Sequence, residues 1–360
     1  MAIQRPSSFL EKEIREQPEV LDRLLESQAA KMLELAESLQ AEKSDTAVRP
    51  YGFDYVLLAA RGSSDNAARY AKYLFGYHNR LPVALAAPSL YTLYKQPPCL
   101  GKALVIGISQ SGQSPDIVEV VADAKRQGQA TLAITNDPES PLAKASDHMI
   151  HLNTGPEKSV AATKTYTASL GALALLSAAL ERDRERLAEL RRLPVVMERT
   201  FPKIFAELHR VERYRYMSHC VVIGRGFNHC TAFEIALKIK ELTRTITEPY
   251  STADFHHGPI AMVGPGFPVM LVAPRGAVMD DTRQLVDRLK GSKAELLIIS
   301  DDYDLLDQAH IACGLPEGIP EWLTPLVTVL PGQYFALALA QAKGFDPDHP
   351  EGLKKVTETV

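Results

Sequence analysis

Cysteine is scarce in this chain. Four thiols, Cys99, Cys220, Cys230 and Cys313, are scattered through 360 residues with no CxxC pair. That argues against a disulfide framework and a thiolate metal site, and it fits a reducing compartment. Neither sign of charge prevails: 40 basic and 44 acidic residues leave a net charge of −4, which gives no electrostatic footprint for nucleic acid. Long apolar runs are missing too. The longest, around Leu170–Leu180, is interrupted by glycine and serine and is too short to span a bilayer. The first residues, Met1 to Glu13, lack the apolar core of a signal peptide. There is no HExxH spacing and no carboxylate cluster, so no metal is expected. These absences point to a soluble cytoplasmic protein with neither nucleic acid nor membrane as partner.

What is present is ordinary globular composition, 46% apolar and 23% charged, in a chain longer than one core usually serves. Residues 8–45 read as charged amphipathic helix, with Pro18 splitting it in two. Strands and helices then alternate. Short apolar strands are expected at 55–60, 81–85, 103–108, 131–135 and 148–152, with one long helix from Lys164 to Arg192. Wholly apolar strands separated by helices imply a parallel sheet covered on both faces. The second half repeats the first. Cys220–Gly226 mirrors Leu57–Gly62, with Arg225 falling 164 residues after Arg61; Leu297–Asp302 mirrors Leu132–Asp137, with Ile299 falling 165 after Ile134. Two strand–turn pairs at nearly one spacing indicate a duplicated α/β domain. The expected segments are 1–45, 46–195, 196–343 and a tail over 344–360.

The chemistry gathers at strand ends. Ser109, Gln110, Ser111, Gly112, Gln113 and Ser114 follow an apolar strand and precede a helix. Free backbone N–H groups and the helix dipole favour a phosphate dianion there, although a plain helix-capping turn has the same composition. Gly62, Ser63 and Ser64 end the first strand in the same manner, as ligand contacts or as an N-cap. The counterpart of Ser109–Ser111 in the second half is Pro274-Arg275-Gly276, which has lost every hydroxyl. In that half, Lys238 and Glu241 share a helix face at i, i+3. They could be a solvated ion pair, or the acid and base of proton transfer beside a carbonyl. His257 lies on a Gly–Pro turn, free to project into a pocket. The tail is proline-rich and irregular, and a lysine drawn from it into a site could act as an amine nucleophile.

Taken together and in this order, these motifs resemble the sugar isomerase (SIS) family, in particular its double-SIS members acting on hexosamine phosphates. The resemblance runs from about residue 10 to the end. It implies two tandem SIS domains, each a flavodoxin-like parallel five-stranded sheet flanked by helices. Ser109, Gln110, Ser111 and Ser114 would hold the phosphate, with Gly62, Ser63 and Ser64 completing the pocket. The loop Gly155–Lys164, including Val160, would close beside it. Glu241 would shuttle a proton between C1 and C2, and Lys238 would help handle protons at the enediol stage. His257 would assist ring opening from the neighbouring subunit of a homodimer. Lys355 would be the tail lysine able to form an imine with the ketose. No cofactor is implied. No cysteine precedes Cys99, whereas the synthase members of this family need an N-terminal nucleophilic cysteine to draw ammonia from glutamine; the tail also reads Leu353-Lys354-Lys355-Val356-Thr357, without a serine after the lysine. These departures look like the stand-alone deaminases of the family, so the implied activity is conversion of glucosamine 6-phosphate to fructose 6-phosphate and ammonia. Alternatives are a relative acting on galactosamine 6-phosphate or a phosphorylated fructosamine, a synthase half served by a separate glutaminase, and a sugar-phosphate-sensing regulator.

Overall fold

A strand that is apolar on both faces can be stable only between two layers of helix, and both halves of the chain adopt that arrangement. A computed structural model describes residues 8–40 and 51–355. Residues 41–45 of the expected helical segment and 356–360 of the tail lie outside the described residues. Two helices come first, α1 (Phe9–Arg15) and α2 (Gln17–Ser38). Pro18 sits in the first turn of α2, where a missing N–H is tolerated.

The chain divides into two compact lobes. The first takes 19–156 and 164–192. Its elements are β1 (Tyr55–Ala59), α3 (Gly62–His78), β2 (Val83–Leu85), α4 (Ser89–Thr92), β3 (Ala103–Ile108), α5 (Pro115–Arg126), β4 (Ala130–Thr135), α6 (Pro141–Ala145), β5 (His148–His151) and α7 (Lys164–Leu180). The strands form one parallel sheet in the order β2-β1-β3-β4-β5. Leu57, Ala59, Val105 and Ala133 face a core completed by Ile117, Val120 and Val121 of α5 and Leu142 of α6. Gly107 belongs here because a Cβ would meet Leu142 and Val121 at 2.7 and 2.8 Å. On the other side α3 packs on α7, a helix buried all round. The long helix expected through Arg192 is in fact two. Arg182 turns left-handed at φ +51°, and the Asp183 carboxylate accepts the Glu185 and Arg186 N–H groups, which starts α8 (Arg184–Glu207).

The second lobe takes 8–18, 157–163 and 193–355. Its elements are β6 (His219–Gly224), α9 (His229–Thr243), β7 (Ile246–Tyr250), α10 (Thr252–His256), β8 (Pro268–Val272), α11 (Met279–Gly291), β9 (Glu295–Ser300), α12 (Tyr303–Leu306), β10 (Ile311–Gly314) and α13 (Thr324–Lys343). The order β10-β9-β8-β6-β7 is that of the first sheet counted from its far edge, and every pair is parallel. Its core repeats too: Val221, Ile223, Val269, Leu271, Leu296 and Ile298 pack against Leu285, Val286 and Leu289 of α11. Residues 321–343 are long and apolar enough to cross a membrane, but 94% of that apolar window is buried, as in the core helix of a soluble protein. In α13, Gly332 lets α9 approach closely, since a Cβ there would come within 2.2 Å of Ile235.

Duplication reaches single interactions. Arg61 ion-pairs with the fully buried Asp116 at 2.8 Å, and Arg225 does the same with Asp281. Those partners sit 164 and 165 residues apart. Each arginine precedes a left-handed glycine, Gly62 at φ +54° and Gly226 at +62°, a conformation that other residues adopt only with strain.

Candidate functional site

In the first lobe the connection reverses direction between β1 and β3, which are hydrogen-bonded neighbours with Ala59 opposite Gly107. That is the topological switch point, where ligands bind in open α/β sheets. The loops at Gly62–Ser64 and Ser109–Ser114 leave these two strands side by side. Arg61 holds the N-cap position of α3 without a side-chain cap bond, so neither Ser63 nor Ser64 is the cap; both lie half-buried in the first helical turn. The Ser109 hydroxyl accepts the Gly112 N–H at 3.1 Å, and Ser111 Oγ accepts from Gln113 N–H at 3.3 Å. Gly112 is left-handed, and a Cβ on it would fall 2.2 Å from Ser140 Oγ. Ser114 starts α5 through its backbone and makes no cap bond with its side chain. The carbonyl of Gln110 accepts from Asn136 N–H and the Thr135 hydroxyl. Two helix starts and several small hydroxyls therefore meet in one crevice, a fitting cradle for a dianion.

The matching crevice of the second lobe is already filled. The Glu321 carboxylate accepts the Ala277 N–H at 2.9 Å and lies where a Cβ of Gly276 would stand, 2.3 Å from its Cδ. The Arg275 N–H donates to Asp301 Oδ1 at 2.7 Å. The copy that lost its hydroxyls carries its own anion.

That lobe instead holds a cluster of buried charges. On α9, Lys238 Nζ lies 2.5 Å from Glu241 and 3.5 Å from Glu234. The side chains of Lys238 and Glu234 are 1% and 0% exposed, against 23% for Glu241. A solvated surface pair is thereby excluded. Burial by itself would push the Lys238 ammonium towards its neutral form; the carboxylates of Glu241, Glu234 and Glu157 outweigh it and hold the pKa above the ordinary lysine value. Glu241 borders a cavity of about 250 Å³ shared with Arg244, Phe345, Asp346, His349 and Glu351. Lys355 Nζ donates to Glu157 Oε2 and to the Ser159 carbonyl, both at 2.8 Å. The other Glu157 oxygen accepts the Thr163 N–H at 2.9 Å. Val160 lies half-buried in the same loop. Glu157 thus links the two lysines, hydrogen-bonding one and acting electrostatically on the other.

His257 stands apart. It is exposed at the end of α10, and among the described residues no hydrogen bond or ion pair joins it to Glu241, Lys238 or Lys355. The sequence motifs contain Glu157 and Glu234 but give neither a role of its own. Glu234 was legible, being four residues before Lys238 on the same helix face. Glu157 was not, because a loop has no periodicity to say which way a side chain points.

Two copies of one parallel sheet, with a hydroxyl-rich loop in the first and a cluster of buried charges in the second, define a duplicated α/β protein. Residues 54–179 and 215–342 match the SIS domain, so the chain belongs to the SIS domain family and carries that domain twice. It is 33% identical over 358 residues to the isomerizing glutamine–fructose-6-phosphate aminotransferase of Thermus thermophilus, which covers 96% of this chain and 58% of that relative. Among solved structures, the C-terminal domain of glucosamine-fructose-6-phosphate aminotransferase from Francisella tularensis superposes with a TM-score of 0.84 at 24% identity, covering 97% of this chain and 99% of that one. A glucosamine-6-phosphate deaminase from Thermotoga maritima gives 0.75 at 23% identity, covering 98% and 100%. At those identities the structural likeness establishes the fold.

Proposed function

We propose that this protein is a hexosamine-phosphate deaminase and isomerase that converts glucosamine 6-phosphate and water to fructose 6-phosphate and ammonia. The observation that carries this reading is Glu241, a partly exposed carboxylate held against a buried ammonium beside a cavity. A carboxylate at the edge of a cavity is within reach of a bound substrate as a base. The hydroxyls and N–H groups of the 62–64 and 109–114 loops bind the phosphate ester, and His257, from a second copy in a homodimer, assists ring opening. In the open-chain sugar Glu241 removes the proton from C2, and the electron pair moves towards the C1 carbonyl oxygen. Lys238 stabilises the negative charge that grows there. Returning that proton to C1, while the substrate's amino group gives one of its own to O1, leaves a hydroxyl at C1 and an imine at C2. The Lys355 amine displaces ammonia from that carbon, and water then releases fructose 6-phosphate and restores the lysine. Glu157, hydrogen-bonded to Lys355, is placed to take the proton an amine sheds before it attacks.

The reading is supported by the similarity to the Thermus aminotransferase and by the tail sequence. The same similarity favours a second reading, formation of glucosamine 6-phosphate from fructose 6-phosphate. One experiment separates them. Purified protein is given glucosamine 6-phosphate or galactosamine 6-phosphate, and ammonia and fructose 6-phosphate are followed together. Parallel samples receive fructose 6-phosphate with ammonium or with glutamine. Equal release of both products from glucosamine 6-phosphate, at a rate above the reverse reaction, upholds the deaminase. Net synthesis alone establishes the second reading, and silence in all arms from a folded protein that binds the sugars removes both.

A further inference from the structure

The α1 helix buries one face, Leu10, Glu13 and Ile14, at i, i+3 and i+4. A carboxylate between two core aliphatics is costly unless donors surround it. Glu13 is 3% exposed and has three: the Lys158 N–H, the Ser159 N–H and the Ser159 hydroxyl. The segment it grips also holds Lys355, through the Ser159 carbonyl and the Glu157 carboxylate. Lys158 adds its ammonium over the Phe9 ring at 5.0 Å. At the start of the same helix, Asp348 of the tail accepts the Phe9 and Leu10 N–H groups at 2.9 and 2.8 Å. The contacts close a ring: tail Asp348 to α1, α1 Glu13 to the 157–159 loop, that loop to tail Lys355.

We infer that Glu13 and Asp348 are positioning residues for Lys355, a clasp that fixes the tail lysine by holding both the loop that receives it and the tail that carries it. Neither touches the ammonium. They act through the Ser159 peptide and through α1. The inference rests on the reading of Lys355 as the reactive amine, but its geometry can be tested with no substrate present.

The experiment is a short pulse of acetic anhydride on the full chain, with acetylation of Lys355 compared by fragment mass spectrometry with that of its exposed neighbour Lys354. In the parent protein Lys355 should react at least about tenfold more slowly, as expected for an ammonium held by two hydrogen bonds, to Glu157 and to the Ser159 carbonyl. Glu13→Ala and Asp348→Ala should each erase most of that difference, and Glu13→Gln, which keeps one acceptor, should restore part of it. With glucosamine 6-phosphate, both alanine variants should lose about tenfold in kcat with little change in KM, since the phosphate loops are untouched. Unchanged Lys355 protection in both alanine variants would overturn the clasp. Should Glu13→Ala fail to fold by circular dichroism, Ser159→Ala removes one donor at less risk, and full protection in it would count equally against the inference. Absence of turnover in the parent would remove the proposed function while leaving the labelling to decide the clasp alone.

Discussion

Lys238→Met tests the buried cluster most directly, because it keeps the length of the side chain and deletes only the charge. At an effective dielectric constant near 20, contacts of 2.5 and 3.5 Å are each worth roughly 5 to 7 kcal/mol of attraction. Desolvation of the ions takes back several kcal/mol apiece, so the assembled cluster contributes little net stability. The variant is a different matter. Methionine removes the cation that Glu234 and Glu241 share, and deleting one partner of a buried ion pair costs about 3–5 kcal/mol. That is a large share of the roughly 5–15 kcal/mol that keeps a domain folded. The effect also has a defined sign with pH. In the parent, the Lys238 pKa is raised, so its contribution is fully present below the ordinary lysine value near 10.4 and is lost as pH climbs through the raised one. Urea denaturation followed by circular dichroism at about pH 8 and about pH 11 compares parent and variant on either side of the ordinary lysine value. A loss below about 1 kcal/mol at the lower pH, or an equal loss at both, would refute the argument that these charges depend on one another.

Three further outcomes are expected. Glu241→Gln should lower turnover by a factor of about 10²–10⁴ and leave sugar-phosphate affinity by calorimetry nearly intact; mixed with His257→Ala under conditions of subunit exchange it should regain part of the activity, and none would count against a shared site. Ser111→Ala should weaken phosphate-ester binding about five- to tenfold with an unchanged melting curve, whereas equal affinity would place the phosphate elsewhere. Gly332→Ala should destabilise by about 1–3 kcal/mol, since its methyl would overlap Ile235 of the helix bearing Glu241; pairing it with Ile235→Val should recover part of that in a thermal melt, and no loss from Gly332→Ala would show that α13 and α9 can separate freely.

The duplication carries its own lesson about how a repeated domain acquires one function. Both copies kept the strand order, the left-handed glycine and the arginine–aspartate pair that ties two helix starts together. They parted at the loop after the third strand. In the first lobe that loop presents hydroxyls; in the second its space is taken by the carboxylate of Glu321. A helix start left with unsatisfied N–H groups is satisfied by some anion, and a built-in carboxylate removes the demand for an external one.

Local features were legible because their causes are local. Apolar runs bounded by turns marked the strands, glycine and serine marked the loops at their ends, and a constant spacing exposed the duplication. Lys238 and Glu241 could be paired from an i, i+3 interval on one helix. Their burial could not, for the same interval describes a wet surface pair equally well. Which elements pack on α9, the distant α13 among them, is not written in that interval. Arg182 and Asp183 broke a helix that periodicity carried on to Arg192, because a left-handed residue followed by an N-cap outweighs an apolar pattern. The clasp joins residues 145, 198 and 339 positions apart, and no local preference spans such distances. The sequence alone determined where strands, loops and reactive side chains fall along the chain; tertiary structure decided which of those side chains lose water and find one another, since that depends on which distant segments share one hydrophobic core.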